Sequence, residues 1–304
     1  MGTEFEVLLV GPDRGFLEDA AAQVLEEPVR LEEQLSHYRP DSDISDLNLR
    51  APHESVRLEP LLYDLLTRAM RLAAASEGAF DPACGALIRC WGFFRGRGRL
   101  PEADAVREAL LHTGCGLLTL DPVHRSVRFG REGVQVHLGA VGKGYALDCM
   151  ADQLRALGVQ SALLHGGTSS VYALGGPADG ESWEVGLCHP DDRERRLGVV
   201  QLRDRALSTS GDYEQFFEVE GRRYSHILDP RTGYPAGGVR SATVVAASAA
   251  DTDALSTAAF VLGVEGTRRL HTRAPGFAAV LIPEAPGGGC DIAVRIGDIA
   301  LELG

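Results

Sequence analysis

Apolar positions recur at helical spacing in the first half of the chain. Residues 17–35 show this spacing, and so does the run LEPLLYDLLTRAMRLAAASEG, which stops at Gly78. A polar loop with an Asp/Ser cap signal before Ile44 separates the two segments. We therefore predict two long helices, followed by a short apolar helix in ALIRCWGFF and a small charged helix over residues 101–112.

Short apolar stretches separated by turn residues dominate the second half. The segment VQVHLGAVGKGYALDCMADQLRALG predicts a strand from about residue 134, a glycine-rich turn and a helix that ends at Gly158. One further helix is predicted over residues 253–262. Closely spaced strand candidates make up the rest, and they are SALLHGGTSSVYALG, SWEVGLCH, LGVVQL, ALSTS, FFEVEGRRYSHIL with a turn at Glu220 and Gly221, SATVVAAS and FAAVLIP.

Strands grouped with several helices, without strict alternation of the two, indicate the α+β class. The chain has 304 residues, 44% of them apolar, which is enough for one large domain or two ordinary ones. We expect a single domain over residues 1–304 and leave open whether it has two lobes.

The charge balance narrows the choice of partners. The formal net charge is −13, whereas nucleic acids and anionic membranes attract a positive surface, so neither is an expected partner. No apolar run reaches the roughly 18–20 residues that span a bilayer. The start MGTEFEVLLVG reads as a strand and lacks signal-peptide features. As the chain stands we expect it in the cytoplasm, or in the periplasm or exported if a leader has been removed.

The stretch HLGAVGKGYALD can expose backbone N–H groups to an anion. Gly139, Gly142 and Gly144 precede a predicted helix, and Lys143 adds positive charge. The phosphate-binding P-loop pattern is excluded. It needs glycine at position 137, where the chain has histidine, and Ser or Thr at position 144, where the chain has glycine. Spacing alone leaves a tight turn and a ligand site equally open.

The segment AADTDALSTAAFVLG places two oxygen donors on one helix face. Asp253 and Thr257 are four residues apart, so the carboxylate and the hydroxyl converge and suit a hard cation such as Mg2+. Two ligands do not make a site, however. The alternative is that Asp251 or Asp253 caps its own helix, which is the more common role for such a residue.

Two other polar turns are ambiguous when taken one at a time. Gly166 and Gly167 lie between two apolar strands, where they allow either a ligand's close approach or an ordinary glycine turn. The serines that follow lack the GxSxG elbow of hydrolases, so we reject a serine nucleophile there. Asp81 before Pro82 fits an Asx turn as well as a site.

Taken in order, the motifs resemble those of the FAD:protein FMN transferases, the ApbE-type flavin transferases. The matching stretches run from Met1 to about residue 283 and are MGT, LSHYRPDSDISDLN, GAFDPACGALIRCWGF, LGAVGKGYALD, HGGTSS, STSGDYE, SHILDPRTGYP and TDALSTAAFVLG. The resemblance implies an ApbE-like fold of largely antiparallel sheets packed with helices, with a nucleotide site in a cleft. It also implies a Mg2+-dependent enzyme that splits FAD, passes FMN to a Thr or Ser hydroxyl of a target flavoprotein and releases AMP.

The resemblance assigns roles to individual residues. It implies a metal site formed by the side chains of Asp253 and Thr257 and the backbone carbonyl of Ala140. The implied FAD contacts are Met1, Tyr38, Ala79, Phe80, Asp81, His137, Lys143, Gly166, Gly167, Ile227 and Thr232. His137 departs from the family pattern, which commonly has Asp at that position, so we expect one contact with FAD to differ.

The segment YSHILDPRTGYPA holds the candidate base. We predict that His226 activates the acceptor hydroxyl, because imidazole titrates near neutrality, and that Asp229 orients His226 or the loop. The alternative is that His226 only orients Asp229 or packs on the nucleotide. Two other functions remain open, namely an FAD pyrophosphatase that uses water as acceptor and a flavin-binding protein without turnover. A covalent FMN adduct on the target distinguishes transfer from both.

Overall fold

The computed structural model describes residues 3–94, 98–192, 194–284 and 293–303. The α-helices are α1 (Arg14–Leu25), α2 (Glu27–Leu35), α3 (Asp43–Arg50), α4 (Pro60–Ala75), α5 (Gly85–Cys90), α6 (Ala103–Leu111), α7 (Gly142–Leu157) and α8 (Ala249–Arg273). The strands are β1 (Phe5–Leu9), β2 (Val56–Arg57), β3 (Leu118–Asp121), β4 (Ser126–Phe129), β5 (Ala162–Gly166), β6 (Ser170–Leu174), β7 (Trp183–Cys188), β8 (Arg196–Leu202), β9 (Arg205–Gly211), β10 (Phe216–Val219), β11 (Arg222–Ser225), β12 (Val239–Ala246), β13 (Phe277–Pro283), β14 (Val294–Ile296) and β15 (Leu301–Leu303).

The chain forms two compact units. The first consists of Met1–Leu31, Val141–Gly211 and Gly238–Gly304, and the second of Glu32–Ala140 and Asp212–Gly237. Every strand ladder between named strands is antiparallel. The predicted α+β class with largely antiparallel sheets is therefore confirmed, while the single domain over 1–304 stays a prediction.

The first unit is built around a sheet with the strand order β1-β5-β6-β9-β12-β13-β14. Tyr172 and Leu174 of β6 lie in a core with apolar residues of α1 and α7, whereas Val171 and Ala173 lie in a second core with the sheet β15-β8-β7. Successive side chains of a strand point to opposite faces. All five residues of β6 are buried because both faces of the sheet are covered at this strand.

The second unit contains the sheets β2-β4-β3 and β10-β11 together with helices α3 to α6. One apolar core of this unit lies around Trp91, which is fully buried among residues of α5, α6 and the loop after β11. The indole N–H of Trp91 donates to the backbone carbonyl of Gly233 at 2.7 Å. This bond anchors the loop that carries the candidate base.

The predicted helix over residues 17–35 is wrong in one respect, because it is two helices. α1 ends at Leu25 and α2 starts at Glu27, with Pro28 in the first turn of α2. Proline has no N–H to donate to the carbonyl four residues earlier, and its ring collides with that carbonyl inside a helix. It is tolerated in a first turn, so the chain restarts the helix there.

The predicted strand at residues 134–138 is also wrong, because this segment is extended without a ladder. Its backbone groups bond to loops and to a side chain: the carbonyl of Gln135 accepts from Gly85 N–H, and His137 N–H donates to the carbonyl of Pro82. The N–H of Val136 donates to the side chain of Asn48. These partners satisfy the segment without a neighbouring strand.

The helix predicted over residues 253–262 is longer at both ends. α8 begins after the N-cap Ser248 and continues past Gly263, whose φ of 67° interrupts the helical conformation. The predicted end at 262 therefore marks a real break, after which the helix resumes. Within the described ranges, no helix has the length and apolar character needed to cross a membrane.

Candidate functional site

In the first unit, helices α7 and α8 cap each other's N-termini. Asp148 of α7 accepts hydrogen bonds from Ser248 Oγ at 2.5 Å and from the backbone N–H groups of Ala249 and Ala250 at 2.7 and 3.0 Å. These N–H groups have no partner within their own helix. Asp148 therefore stabilises the start of α8 from outside it.

Asp253 of α8 in turn caps the N-terminus of α7. Its Oδ2 accepts from the backbone N–H of Gly144, in the first turn of α7, at 2.7 Å, and its Oδ1 accepts from Ser170 Oγ at 2.6 Å. Lys143 Nζ lies 3.8 Å from Oδ2.

The idea that Asp251 or Asp253 caps its own helix is wrong, because Ser248 takes that position. Asp253, only 5% exposed, instead joins α7, α8 and β6.

Gly144 has no room for a side chain, because a Cβ there would lie 2.0 Å from the backbone oxygen of Ala249. We expect Gly144→Ala to lower the free energy of unfolding by about 2–3 kcal/mol, since the clash is with backbone and the helices must separate. Chemical denaturation of both proteins measures this. Gly116→Ala is the control, because a Cβ there meets nothing within 4 Å. Equal stability of the two variants would contradict the close approach of α7 and α8.

Thr257 lies one turn after Asp253 and is oriented by its own hydrogen bond. Its Oγ1 donates to the carbonyl of Asp253 at 3.2 Å. Ser256 Oγ donates to the same carbonyl at 3.0 Å, and Ser210 Oγ lies 2.9 Å from Ser256 Oγ and 3.4 Å from Thr257 Oγ1. A hydroxyl has one proton and two lone pairs. Because the proton of Thr257 is used on the carbonyl, its oxygen is left as an acceptor or a ligand.

These donors fit a hard cation. Mg2+ prefers oxygen ligands, and Asp253 and Thr257 offer a carboxylate and a hydroxyl on adjacent turns. In the part of the chain that the structure describes, no group of three or more His, Cys, Asp or Glu residues is arranged to hold a metal. A site here would therefore rely on one carboxylate together with hydroxyl and carbonyl oxygens.

The paired glycines in the first unit form the turn between β5 and β6. Gly167 has a φ of 66°, and its N–H donates to the carbonyl of Glu4 at 2.8 Å. A Cβ on Gly167 would lie 2.3 Å from Thr3 Oγ1, so the turn and the N-terminal segment require glycine here. Contacts of Gly166 and Gly167 with FAD stay a prediction. Met1, a predicted contact, lies outside the described residues.

In the second unit, His226 directly follows β11, and a hydrogen bond sets its tautomer. His226 Nδ1 lies 2.9 Å from the carbonyl oxygen of Gln215, and the backbone N–H of His226 donates to the same oxygen. A carbonyl only accepts, so Nδ1 carries the proton. The neutral ring then has its lone pair on Nε2, which is the protonation state that a general base needs.

The side chain of Asp229 holds the loop after His226. Its two oxygens accept from Arg231 Nε and Nη2, both at 2.8 Å, and Oδ1 also accepts from Arg231 N–H. The N–H groups of Thr232 and Gly233 donate to the carbonyl of Asp229. These bonds fit the role of orienting the loop. Ile227 is buried in the same loop, and the contacts of Ile227 and Thr232 with FAD stay predictions.

Asp81 organises a second turn of this unit. Its Oδ1 accepts from the N–H of Ala83 at 2.8 Å and from Cys115 Sγ at 3.0 Å, and its Oδ2 accepts from Cys115 N–H at 2.8 Å. Burial, followed by the nearby carboxylate, raises the pKa of the Cys115 thiol far above its usual value, so the thiol is a donor here. Ala79 and Phe80 are buried beside this turn, and their predicted role in FAD binding is untested.

Tyr38 belongs to an aromatic cluster that also contains His37, His137 and Phe94. The ring of His37 lies 3.7 Å from those of both Tyr38 and His137, measured between centroids. Phe94 lies 5.2 Å from Tyr38, and the guanidinium of Arg89 lies 4.5 Å above the ring of Phe94. Tyr38 remains 39% exposed, which leaves part of its ring accessible to a planar ligand.

His137 is a neutral imidazole in this cluster. Burial lowers its pKa to about 4, so the imidazole is uncharged at neutral pH. Its Nδ1 accepts from the N–H of Gly139 at 3.2 Å, which places the proton on Nε2. The side chain therefore offers an N–H where the family pattern has a carboxylate acceptor. Ala140, whose carbonyl is a predicted metal ligand, lies in the turn that follows.

The structure thus brings together Lys143, Asp253 and Thr257 in the first unit, and it places His226 and Asp229 in one loop of the second. Sequence reasoning missed three residues that orient these groups: Ser170, Asp148 and Gln215. The sequence around Ser170 suggests only a nucleophile, which the absence of a GxSxG elbow excludes. Gln215 acts through its backbone carbonyl, which leaves no sequence signal.

The comparisons with known proteins agree with one another. A model of the ApbE family matches residues 1–281. The FAD:protein FMN transferase of Treponema pallidum is 38% identical over 265 residues, covering 82% of this chain and 72% of that protein. One from Klebsiella pneumoniae is 31% identical over 291 residues, covering 93% of this chain and 82% of that protein.

Solved structures show the same architecture. The ApbE protein of Thermotoga maritima superposes with a TM-score of 0.88 at 32% identity, covering 97% of this chain and 94% of that one. The apo form of the Pseudomonas stutzeri flavinyl transferase ApbE gives a TM-score of 0.81 at 33% identity, covering 96% and 90%.

Proposed function

The chain belongs to the ApbE family, and on that premise we propose that it is a Mg2+-dependent FAD:protein FMN transferase that modifies a Thr or Ser hydroxyl of a target flavoprotein and releases AMP. The observation that carries the proposal is the buried Asp253 carboxylate. It lies 3.8 Å from Lys143 Nζ and one helical turn from the Thr257 hydroxyl. Such a cluster suits a net-acidic protein that must bind an anionic pyrophosphate locally.

Asp253, Thr257 and the carbonyl of Ala140 would hold the cation. Thr257 suits this role because its proton is donated to the Asp253 carbonyl and its lone pairs remain for a ligand. When bound, Mg2+ supplies Lewis-acid stabilisation of the charge that develops on the phosphate oxygens. Lys143 adds a second positive charge for the same phosphates.

In the proposed binding mode, Tyr38 stacks on a ring of FAD and the Asp81 turn contacts the nucleotide. Contact of the Gly167 turn with FAD is a separate prediction. His137 is a neutral donor there, so its partner on FAD is an acceptor such as a ring nitrogen or a carbonyl oxygen. A carboxylate at this position accepts from an N–H group instead. We therefore expect His137 to contact a different atom of FAD from the one that an Asp contacts.

His226 is the proposed general base. Its Nε2 takes the proton of the acceptor hydroxyl as the hydroxyl oxygen forms a bond to the FMN phosphorus of FAD. The bond from that phosphorus to the bridging oxygen breaks, and AMP leaves with the electron pair. The carbonyl of Gln215, 2.9 Å from Nδ1, stabilises the imidazolium that forms, and the Asp229–Arg231 pair holds the loop in place.

The second candidate is an FAD pyrophosphatase, since water can replace the acceptor hydroxyl in the same geometry and AMP is released in both reactions. The decisive experiment incubates the protein with FAD, Mg2+ and candidate acceptor domains, each paired with a variant whose acceptor Thr or Ser is alanine. We expect an FMN adduct in the mass spectrum of the acceptor that keeps its Thr or Ser, and none in that of its alanine variant. Steady AMP and FMN without an adduct would support hydrolysis, and FAD binding without either product would support a binding protein.

A further inference from the structure

Ser170, the first residue of β6, is fully buried and points its hydroxyl at the candidate cation site. Its Oγ donates to Asp253 Oδ1 at 2.6 Å, across 83 residues of sequence. A carboxylate oxygen accepts but does not donate, so the proton of Ser170 lies on this bond. The proposed reaction assigns roles to Lys143, Thr257 and His226 and none to this serine.

Two donors fix the plane of the Asp253 carboxylate. The N–H of Gly144 holds Oδ2 at 2.7 Å and Ser170 holds Oδ1 at 2.6 Å. With one donor, the group could still turn about its terminal bond, because that torsion is broad for aspartate. With both donors in place, the remaining lone pairs keep one direction, which a ligand to a small cation requires.

We propose that Ser170 is a positioning residue that holds Asp253 in the orientation needed to bind a divalent cation. The inference rests on the proposed function, since it takes Asp253 to be a ligand. Ser170 acts through Asp253 and contacts neither substrate nor cation. Partners of this kind, which orient a metal ligand, typically change metal affinity about 10–100-fold when removed.

The test measures Mn2+ binding to the full chain without FAD, by the electron paramagnetic resonance signal of free Mn2+. We expect Ser170→Ala to weaken Mn2+ binding about 10–100-fold. Ser169→Ala is the matched control, because it removes the neighbouring hydroxyl while the Ser169 carbonyl still accepts from Thr209 N–H. Its affinity should equal that of the wild type.

Equal Mn2+ affinity in the wild type and Ser170→Ala overturns the positioning role and leaves the cation site intact. No Mn2+ binding by the wild type overturns the cation site of the proposed function and this inference with it. If Ser170→Ala does not fold, Ser170→Cys keeps a side chain of the same shape, slightly larger, that has only a weak donor. Weakened binding by that variant supports the role, and wild-type affinity overturns it.

A second readout separates positioning from a general structural defect. In the transfer assay, Ser170→Ala should need about 10–100-fold more Mg2+ for half-maximal rate while reaching the wild-type kcat at saturating Mg2+. Misfolding lowers kcat at every Mg2+ concentration. An unchanged Mg2+ requirement with a lower kcat would overturn the positioning role.

Discussion

Replacing Asp253 with asparagine is expected to lower the rate of FMN transfer about 10²–10³-fold. Asparagine has the shape of aspartate but no charge, so the proposed cation loses its only carboxylate ligand among the named residues. Lys143, 3.8 Å from Oδ2, also loses its ion pair. The rate is measured as FMN-acceptor adduct formed per unit time at saturating FAD and Mg2+.

The control for this substitution is Asp152→Asn. Asp152 lies on α7 with a side chain that is 77% exposed and pairs with Arg155, so its charge is expected to add little. Thermal unfolding of both variants checks that Asp253→Asn still folds. The check is needed because the amide oxygen of asparagine can accept from Gly144 or from Ser170, but not from both. A folded Asp253→Asn variant with near wild-type transfer would exclude the proposed metal role.

Replacing His226 with alanine is expected to lower transfer about 10²–10⁴-fold while FAD binding stays unchanged. The reason is that the Nε2 lone pair, fixed by the Nδ1 contact with Gln215, is the proposed acceptor of the hydroxyl proton. Adduct formation gives the rate, and the change in flavin fluorescence on titration gives the affinity for FAD.

A second variant separates a base from a residue that only orients the loop. In His226→Asn, the amide nitrogen replaces Nδ1 and can still donate to the Gln215 carbonyl, but no group replaces Nε2. Transfer should stay as low as in His226→Ala. Activity restored by asparagine would show that the hydrogen bond matters and the proton transfer does not. His124→Ala, with a side chain that is 75% exposed, is the control and should transfer FMN normally.

Local signals predicted most of the elements. The helical spacing of apolar residues predicted α7, and Gly158 predicted where it ends. Gly158 adopts a φ of 89°, which ends a helix at little cost for glycine. Glu220 and Gly221 likewise gave the hairpin β10-β11, because both residues have positive φ. The break at Pro28 was visible in the sequence, but the apolar spacing on either side of it outweighed the proline signal.

The candidate site was predicted only as far as local spacing allowed. Asp253 and Thr257 share a helix face, and four residues of sequence suffice to say so. Whether Asp253 caps its own helix or serves another element depends on Gly144 and Ser170, which are 109 and 83 residues away. No periodic pattern encodes such pairings. The family resemblance identified the site residues, and the folded structure shows how their side chains are oriented.

The mutual capping of α7 and α8 also constrains how these helices can assemble. Gly144 and Asp148 are one turn apart on α7, and so are Ala249 and Asp253 on α8. A slip of either helix by one residue would break both contacts at once and leave two positive helix ends facing each other without a carboxylate between them. The two contacts therefore fix the register of α7 against α8. Any α7–α8 packing in which both Asp148 and Asp253 accept these hydrogen bonds also places Asp253 beside Lys143.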